Sequence, residues 1–326
     1  MKTCCCLLAL SVVTGWAATN ALVAPVPVPS SPYLPRIYRY VDTLLDDPKQ
    51  TTNLHHHQNL LRLLYTLSEL SGKPKYRDTA DAALRLWLAN PPSSEQAITR
   101  PWLLWNRCYE IAPEPSIKFA LAILKNQTTN HPGFYLRAWS TAYARTTNDV
   151  FIRAIETLLT PFETLKSPLN LSFAIDCDGS ADALPDPLAS RLRALAQFAD
   201  NRLGTDAGVQ TVMMYVSRYE NTGKVIYRSA IQAVAEEGRL RRPEESIPPA
   251  TLGHAISLQL AAWRSTACQP HLDKARSLAD FALTKYFDGT PKIISGGDTL
   301  ALALVELHLH ILYITAVRYP PNTVDR

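Results

Sequence analysis

Glycine is scarce in this chain, 12 of 326 residues. That argues against phosphate-cradling loops and against a sheet linked by many tight turns. Charge is also thin: 19% of residues are Asp, Glu, Lys or Arg, below the roughly 25% of ordinary soluble domains. The net charge is only +4. The densest basic cluster, Arg239-Leu240-Arg241-Arg242, stops at Pro243 and reads as a solvated linker, so no nucleic-acid partner is expected. Several catalytic signatures are missing: a glycine-rich nucleotide loop, H-E-x-x-H, G-x-S-x-G, a paired-cysteine cluster and D-D-x-x-D. Cysteine is nearly as uninformative. Cys4, Cys5 and Cys6 sit in the leading apolar run, which leaves Cys108, Cys177 and Cys268. Three thiols cannot all pair, so a disulfide-built scaffold is excluded and small buried hydrophobes are expected.

Proline is plentiful, at 24, and hydrophobic residues reach 47%. The first suits a chain punctuated by helix starts and stops, and the second allows a large core. Lys2, the apolar run Cys4 to Ala18 and the small residues Ala17-Ala18-Thr19-Asn20-Ala21 have the layout of a secretory signal peptide over residues 1–21. A retained N-terminal anchor is the alternative. Residues 22–32 carry Pro25, Pro27, Pro29 and Pro32 and read as an extended spacer. Residues 33–326 form one domain. The expected location is secreted or periplasmic, with no membrane contact once the signal is removed.

From Pro35 the pattern is helical almost throughout. Ile37, Tyr40, Val41, Leu44 and Leu45 fall on one stripe, and Leu60, Leu61, Leu63, Leu64, Leu67 and Leu70 give a wide apolar face. A polar turn, Ser71 to Pro74, leads into a helix through Ala80, Ala83, Leu84 and Trp87. Small residues in matching positions recur at Ala120, Ala154, Ala194, Ala230 and Ala275, each after a polar or proline-bearing turn. A helix pair of this kind cannot bury its own apolar face, so the units must stack. The segment Ser167–Ser180 is the irregular one and reads as mostly non-helical. A last helix from Asp298 and a first helix at Ile37–Leu45 are left unpaired, and joining them closes a ring. The expected fold is all-α: an α/α-toroid of about six to seven helical hairpins, with an open solenoid as the alternative.

The unit Leu64–Leu84, LYTLSELSGKPKYRDTADAAL, and the terminal SGGDTLALALVELH, Ser295–His308, resemble the six-hairpin glycosidase-like superfamily, the α/α-toroids of secreted polysaccharide hydrolases and lyases. The likeness spans most of the mature chain and is one of architecture. It implies a carbohydrate-directed role and a cleft at one end of the inner helices. No complete catalytic motif matches, so the resemblance carries no residue roles.

The residues themselves offer several candidates. Asp176 and Asp178 lie in the densest acidic group of the repeat region. On an extended segment they would point to one side, as the two carboxylates of a glycosidase must. They would also suit a weak Ca²⁺ site, although the oxygen ligands are too few for a calcium loop; a polar loop is the alternative. No cofactor is otherwise expected. Trp102 and Trp105 share a helix face, with Asn106 beside them, and suit stacking on a sugar or core packing. His131 and Tyr135 supply base types and Arg137 a carboxylate neutraliser for lyase chemistry. His254 and Asp298 are secondary substrate-binding candidates, with a satisfied core histidine and a helix cap as the alternatives. His55-His56-His57 diverge around a helix and do not form a metal site. Two functions follow: a secreted lyase or hydrolase acting on a polysaccharide or oligosaccharide, or a non-catalytic helical-repeat protein that binds glycan or protein.

Overall fold

A computed structural model describes residues 32–47, 54, 57–90, 105–126, 131–164, 171–200, most of 212–219, 223–240, 246–288 and 294–318. The signal peptide, the proline-rich spacer to Ser31, Trp102, His55 and His56 lie outside the described residues. Backbone contacts separate Pro32–Ile311 from a second unit made of the chain's two ends. Every contact below belongs to the first unit.

The described residues are helical and contain no strand. The helices are α1 (Tyr33–Leu45), α2 (Gln58–Ser71), α3 (Pro74–Ala89), α4 (Trp105–Ile111), α5 (Pro113–Ala122) and α6 (Pro132–Thr146). They continue with α7 (Asp149–Thr164), α8 (Leu171–Ala181), α9 (Leu188–Asp200), α10 (Val225–Leu240), α11 (Pro249–Thr266), α12 (Gln269–Tyr286) and α13 (Gly297–Arg318). A 3-10 turn, Ile123–Asn126, extends α5. None of the described helices is long and apolar enough to cross a membrane.

Proline and the left-handed cap set the punctuation. Pro74, Pro113, Pro132, Pro249 and Pro270 stand in first turns, where a missing N–H costs nothing. At the Ser71 turn Gly72 takes φ +66° and its N–H closes α2 onto Ser68 O at 2.9 Å. Ser68 Oγ then donates to Lys73 O across the turn. Thr147 and Ala267 make the same left-handed cap after α6 and α11 without glycine, at φ 52° and 56°, which costs each about 1–2 kcal/mol.

The six small residues that define the repeat fall in α3, α5, α7, α9, α10 and α12. Ala80, Ala120 and Ala275 are fully buried. Ala194 is exposed, and α9 buries Leu192, Leu195 and Ala196 instead. Aromatic contacts join successive pairs: Trp87 meets Phe119 at 4.7 Å and Phe119 meets Phe134 at 6.5 Å, and the row continues within α6, where Tyr135 meets Trp139 at 5.4 Å. Trp139 Nε1 donates to Ala120 O, so the row is pinned to the backbone of α5. A second core gathers Val212, Tyr215, Tyr227, Ile231 and Leu258.

Hydrogen bonds also run from α1 and α2 to α12, to Ile294 and to α13. Tyr33 Oη donates to Asp280 of α12, Tyr40 Oη to Ile294 O, and Asn59 Nδ2 to Thr299 Oγ1 of α13 at 2.9 Å. Tyr40 packs edge-on against Phe287 at 5.2 Å. Ser257 and Arg264 of α11 both donate to Glu306 of α13.

One expectation is corrected. The stretch read as mostly non-helical, Ser167–Ser180, contains α8. Its Asp, Gly and Ser residues are poor helix formers, but Phe173, Ala174, Cys177 and Ala181 recur on one face and are all buried. Burial outweighs a propensity cost of roughly 0.5–1 kcal/mol per residue.

Candidate functional site

A cleft of about 410 Å³ opens between α4, α6 and the end of α8. That is within the roughly 300–1,000 Å³ of small-ligand sites. Its main wall is α6: Arg137, Ser140, Thr141, Ala144 and Arg145 line it at i, i+3, i+4, i+7 and i+8. Asn106 and Glu110, one turn apart on α4, face them, and Gly179 and Ser180 close the α8 side. Ser180 Oγ is buried and has no hydrogen-bond partner among the described residues.

Arg137 is held from behind. Its Nε donates to Asp176 Oδ1 at 2.6 Å. Its Nη2 is 3.9 Å from where a Gly179 Cβ would stand, at the cleft wall. Asp176 is 2% exposed. Burial pushes its carboxyl up to about 6, against the pull of Arg137. Glycine is required at position 133, because a Cβ there would meet Asp176 Oδ2 at 1.7 Å. The carboxylate therefore lies in the groove that Gly133 leaves on α6.

A second polar network supports α4. Arg107 grips Asp81 with Nε and Nη2, and Tyr65 Oη donates to the same carboxylate at 2.7 Å. Arg107 Nη1 also donates to Glu110 at 2.8 Å, which compensates the one carboxylate in the cleft wall. Arg145 lies over the Tyr109 ring at 5.8 Å and makes no ion pair among the described residues. It also stands in the last turn of α6, where a cation suits the helix dipole.

The sequence candidates divide. Asn106 and Arg137 meet in the cleft, with Asp176 behind Arg137. Asp178 turns away from Asp176, because residues two apart on a helix diverge by about 200°, and it pairs with Arg218, which is itself 1% exposed. The expected side-by-side carboxylates are therefore corrected to two separate ion pairs. Tyr135 is 1% exposed, between Phe134 and Trp139. His131 is exposed at the start of α6. His254 is half-buried on α11, outside the cleft lining. Asp298 opens α13 and accepts the Thr299 N–H. Trp102 and the Trp105 side chain lie outside the described residues.

Arg145, Ser140, Thr141 and Glu110 were missed. For the three on α6 a signal was present: a polar stripe with helical spacing along an otherwise apolar and aromatic helix. The described residues hold no cluster of three His, Cys, Asp or Glu arranged for a metal ion. A second groove, about 430 Å³ between α3 and α5, has Leu88, Pro115 and Phe119 in its wall and only Glu114 and Lys118 as charged groups, so it offers less chemistry. No family model, curated protein or solved structure matches the chain.

Proposed function

We propose that this is a non-catalytic binding protein, exported from the cell, that holds an oligosaccharide in the cleft between α4 and α6. The reading takes the helical hairpins to close as an α/α-toroid, supported by the links from Tyr33, Tyr40 and Asn59 to Asp280, Ile294 and Thr299. The observation that carries it is how the side chains are distributed. The cleft wall offers amide, hydroxyl and guanidinium groups spaced along α6 and α4, the hydrogen-bonding set that sugar hydroxyls need. The carboxylates suited to acid–base work are instead engaged in ion pairs, Asp176 with Arg137 and Asp178 with Arg218.

A lyase or hydrolase is the second reading, and one observation favours it. Asp176 titrates near 6, in the range of a general acid. Its seat behind Arg137 weighs against it, since a general acid must reach the leaving oxygen directly or through one water.

The test is a panel of neutral and uronate oligosaccharides titrated calorimetrically against the mature protein. Reducing ends and the absorbance of unsaturated product are followed in parallel. Binding without either product is the expected result. Turnover that disappears in Asp176→Asn would establish the enzyme, and failure to bind any oligosaccharide would end the reading.

A further inference from the structure

The charges of the cleft are matched with one exception. Asp176 takes Arg137, and Arg107 takes both Asp81 and Glu110. Arg145 keeps no carboxylate among the described residues. It is exposed on the cleft wall, one face against the Tyr109 ring. A guanidinium laid on an aromatic ring is restricted in orientation, so it loses less freedom when its N–H groups engage an anion. Thr141, one turn back on α6, is a hydrogen-bonding group of the same wall, and Asn106 faces it from α4. Arg137 presents its Nη2 side at Gly179, with its Nε engaged behind. Glu110, also in the lining, shares Arg107 with Asp81 and so leaves the α4 side less favourable to an anion than the α6 side.

We infer that the α6 side of the cleft is an anion subsite in which Arg145, assisted by Thr141, selects ligands bearing a carboxylate or sulfate group. The inference rests on the cleft being a ligand site, as proposed above, and adds the class of ligand. Planar guanidinium recognition is bidentate for both groups, so either source of negative charge satisfies it.

The experiment titrates glucuronate, glucose 6-sulfate and glucose, then matched acidic and neutral oligosaccharides, into the full mature protein at low ionic strength. Wild type, Arg145→Gln and Arg145→Lys are compared. Because Arg145 is exposed, both variants are expected to melt with wild type, and Tm is recorded to show it. Acidic probes should bind more tightly than glucose. Arg145→Gln should weaken them roughly tenfold to a hundredfold, the loss expected for one charged hydrogen-bonded contact, and weaken neutral oligosaccharides far less. Arg145→Lys should recover part of the difference, since it restores charge but not the planar fork. Neutral and acidic oligosaccharides binding equally, or an Arg145→Gln variant that keeps the preference, overturns the anion subsite and leaves oligosaccharide binding standing. Acidic monomers that bind through Arg145 while no oligosaccharide binds leaves the subsite standing and removes the oligosaccharide reading. Binding by none of the probes removes both.

Discussion

Replacing Gly133 by alanine puts a methyl group where the Asp176 carboxylate now sits. An ideal Cβ at position 133 would stand 1.7 Å from Asp176 Oδ2, 2.6 Å from Cγ and 3.2 Å from Cβ. Both ends belong to packed helices, and Asp176 is 2% exposed, so the carboxylate cannot swing freely into water. Overpacking of this kind costs about 1–3 kcal/mol. Displacing the carboxylate from Arg137 Nε adds about 1.5–3 kcal/mol for a hydrogen bond to a charged group. The better helix propensity of alanine returns about 1 kcal/mol. Gly133→Ala should therefore lower unfolding free energy by about 1.5–5 kcal/mol, read from urea midpoints at constant m-value. The same substitution in an Asp176→Ala background removes the clash with Oδ2 and Cγ and leaves only the 3.2 Å approach of the two Cβ atoms. There it should fall within about 1 kcal/mol of neutral. A wild-type background that tolerates Gly133→Ala at no cost, or two backgrounds with equal cost, would refute the fit between Asp176 and the α6 groove.

The other predictions concern titration, thiols and helix contact. The unfolded chain ionises Asp176 near 3.8 and the folded protein near 6, so the native state holds the extra proton between those values. This contribution is complete below about pH 3.8 and is lost as pH rises through 6, on the order of 2–3 kcal/mol in all. Burial lowers His271 and His308, which acts in the opposite sense as pH falls. The clean readout is therefore the difference from Asp176→Asn: wild type should gain on the variant between pH 7 and pH 5, and a pH-independent difference would contradict the assignment. Burial pushes the Cys108 thiol up to about 12 and raises Cys177 also, whereas Cys268 is exposed. Brief iodoacetamide treatment followed by peptide mapping should modify Cys268 and spare Cys108 and Cys177. At Gly253 an added Cβ would meet the backbone of Thr299 and Leu300 at 3.0 Å. Gly253→Ala should force α11 from α13 and cost about 1–3 kcal/mol in urea unfolding, while Gly133 and Gly253 single variants should differ in their effect on cleft ligands.

The helical hairpins were legible because their signals are local. Proline in first turns, Gly72 after α2 and the leucine stripe of α2 each act within a few residues, and all three reappear as drawn. The α8 helix was not legible, because Asp176, Asp178, Gly179 and Ser180 argue against helix locally and only packing of Phe173, Ala174 and Cys177 argues for it. That one misreading also misplaced the acidic pair, since an extended strand would align side chains that a helix turns apart. Asn106 and Arg137 were chosen for their chemistry and do share the cleft. Tyr135 was chosen on the same grounds and is core, since chemistry alone does not say which face of α6 is buried. The stripe Arg137, Ser140, Thr141, Ala144, Arg145 carried that information. It was masked by the aromatic residues threaded through it on the buried side.

The central claim is that ligand binds between α4 and α6 and leaves unchanged. Hydrogen–deuterium exchange of the mature protein with and without a bound oligosaccharide, analysed alongside recovery of the intact ligand, tests it most directly. Protection confined to peptides covering 106–110, 137–145 and 179–183, with all ligand recovered, is the predicted result. Protection centred on α11 and α13 instead, or recovery of cleaved ligand, would contradict it.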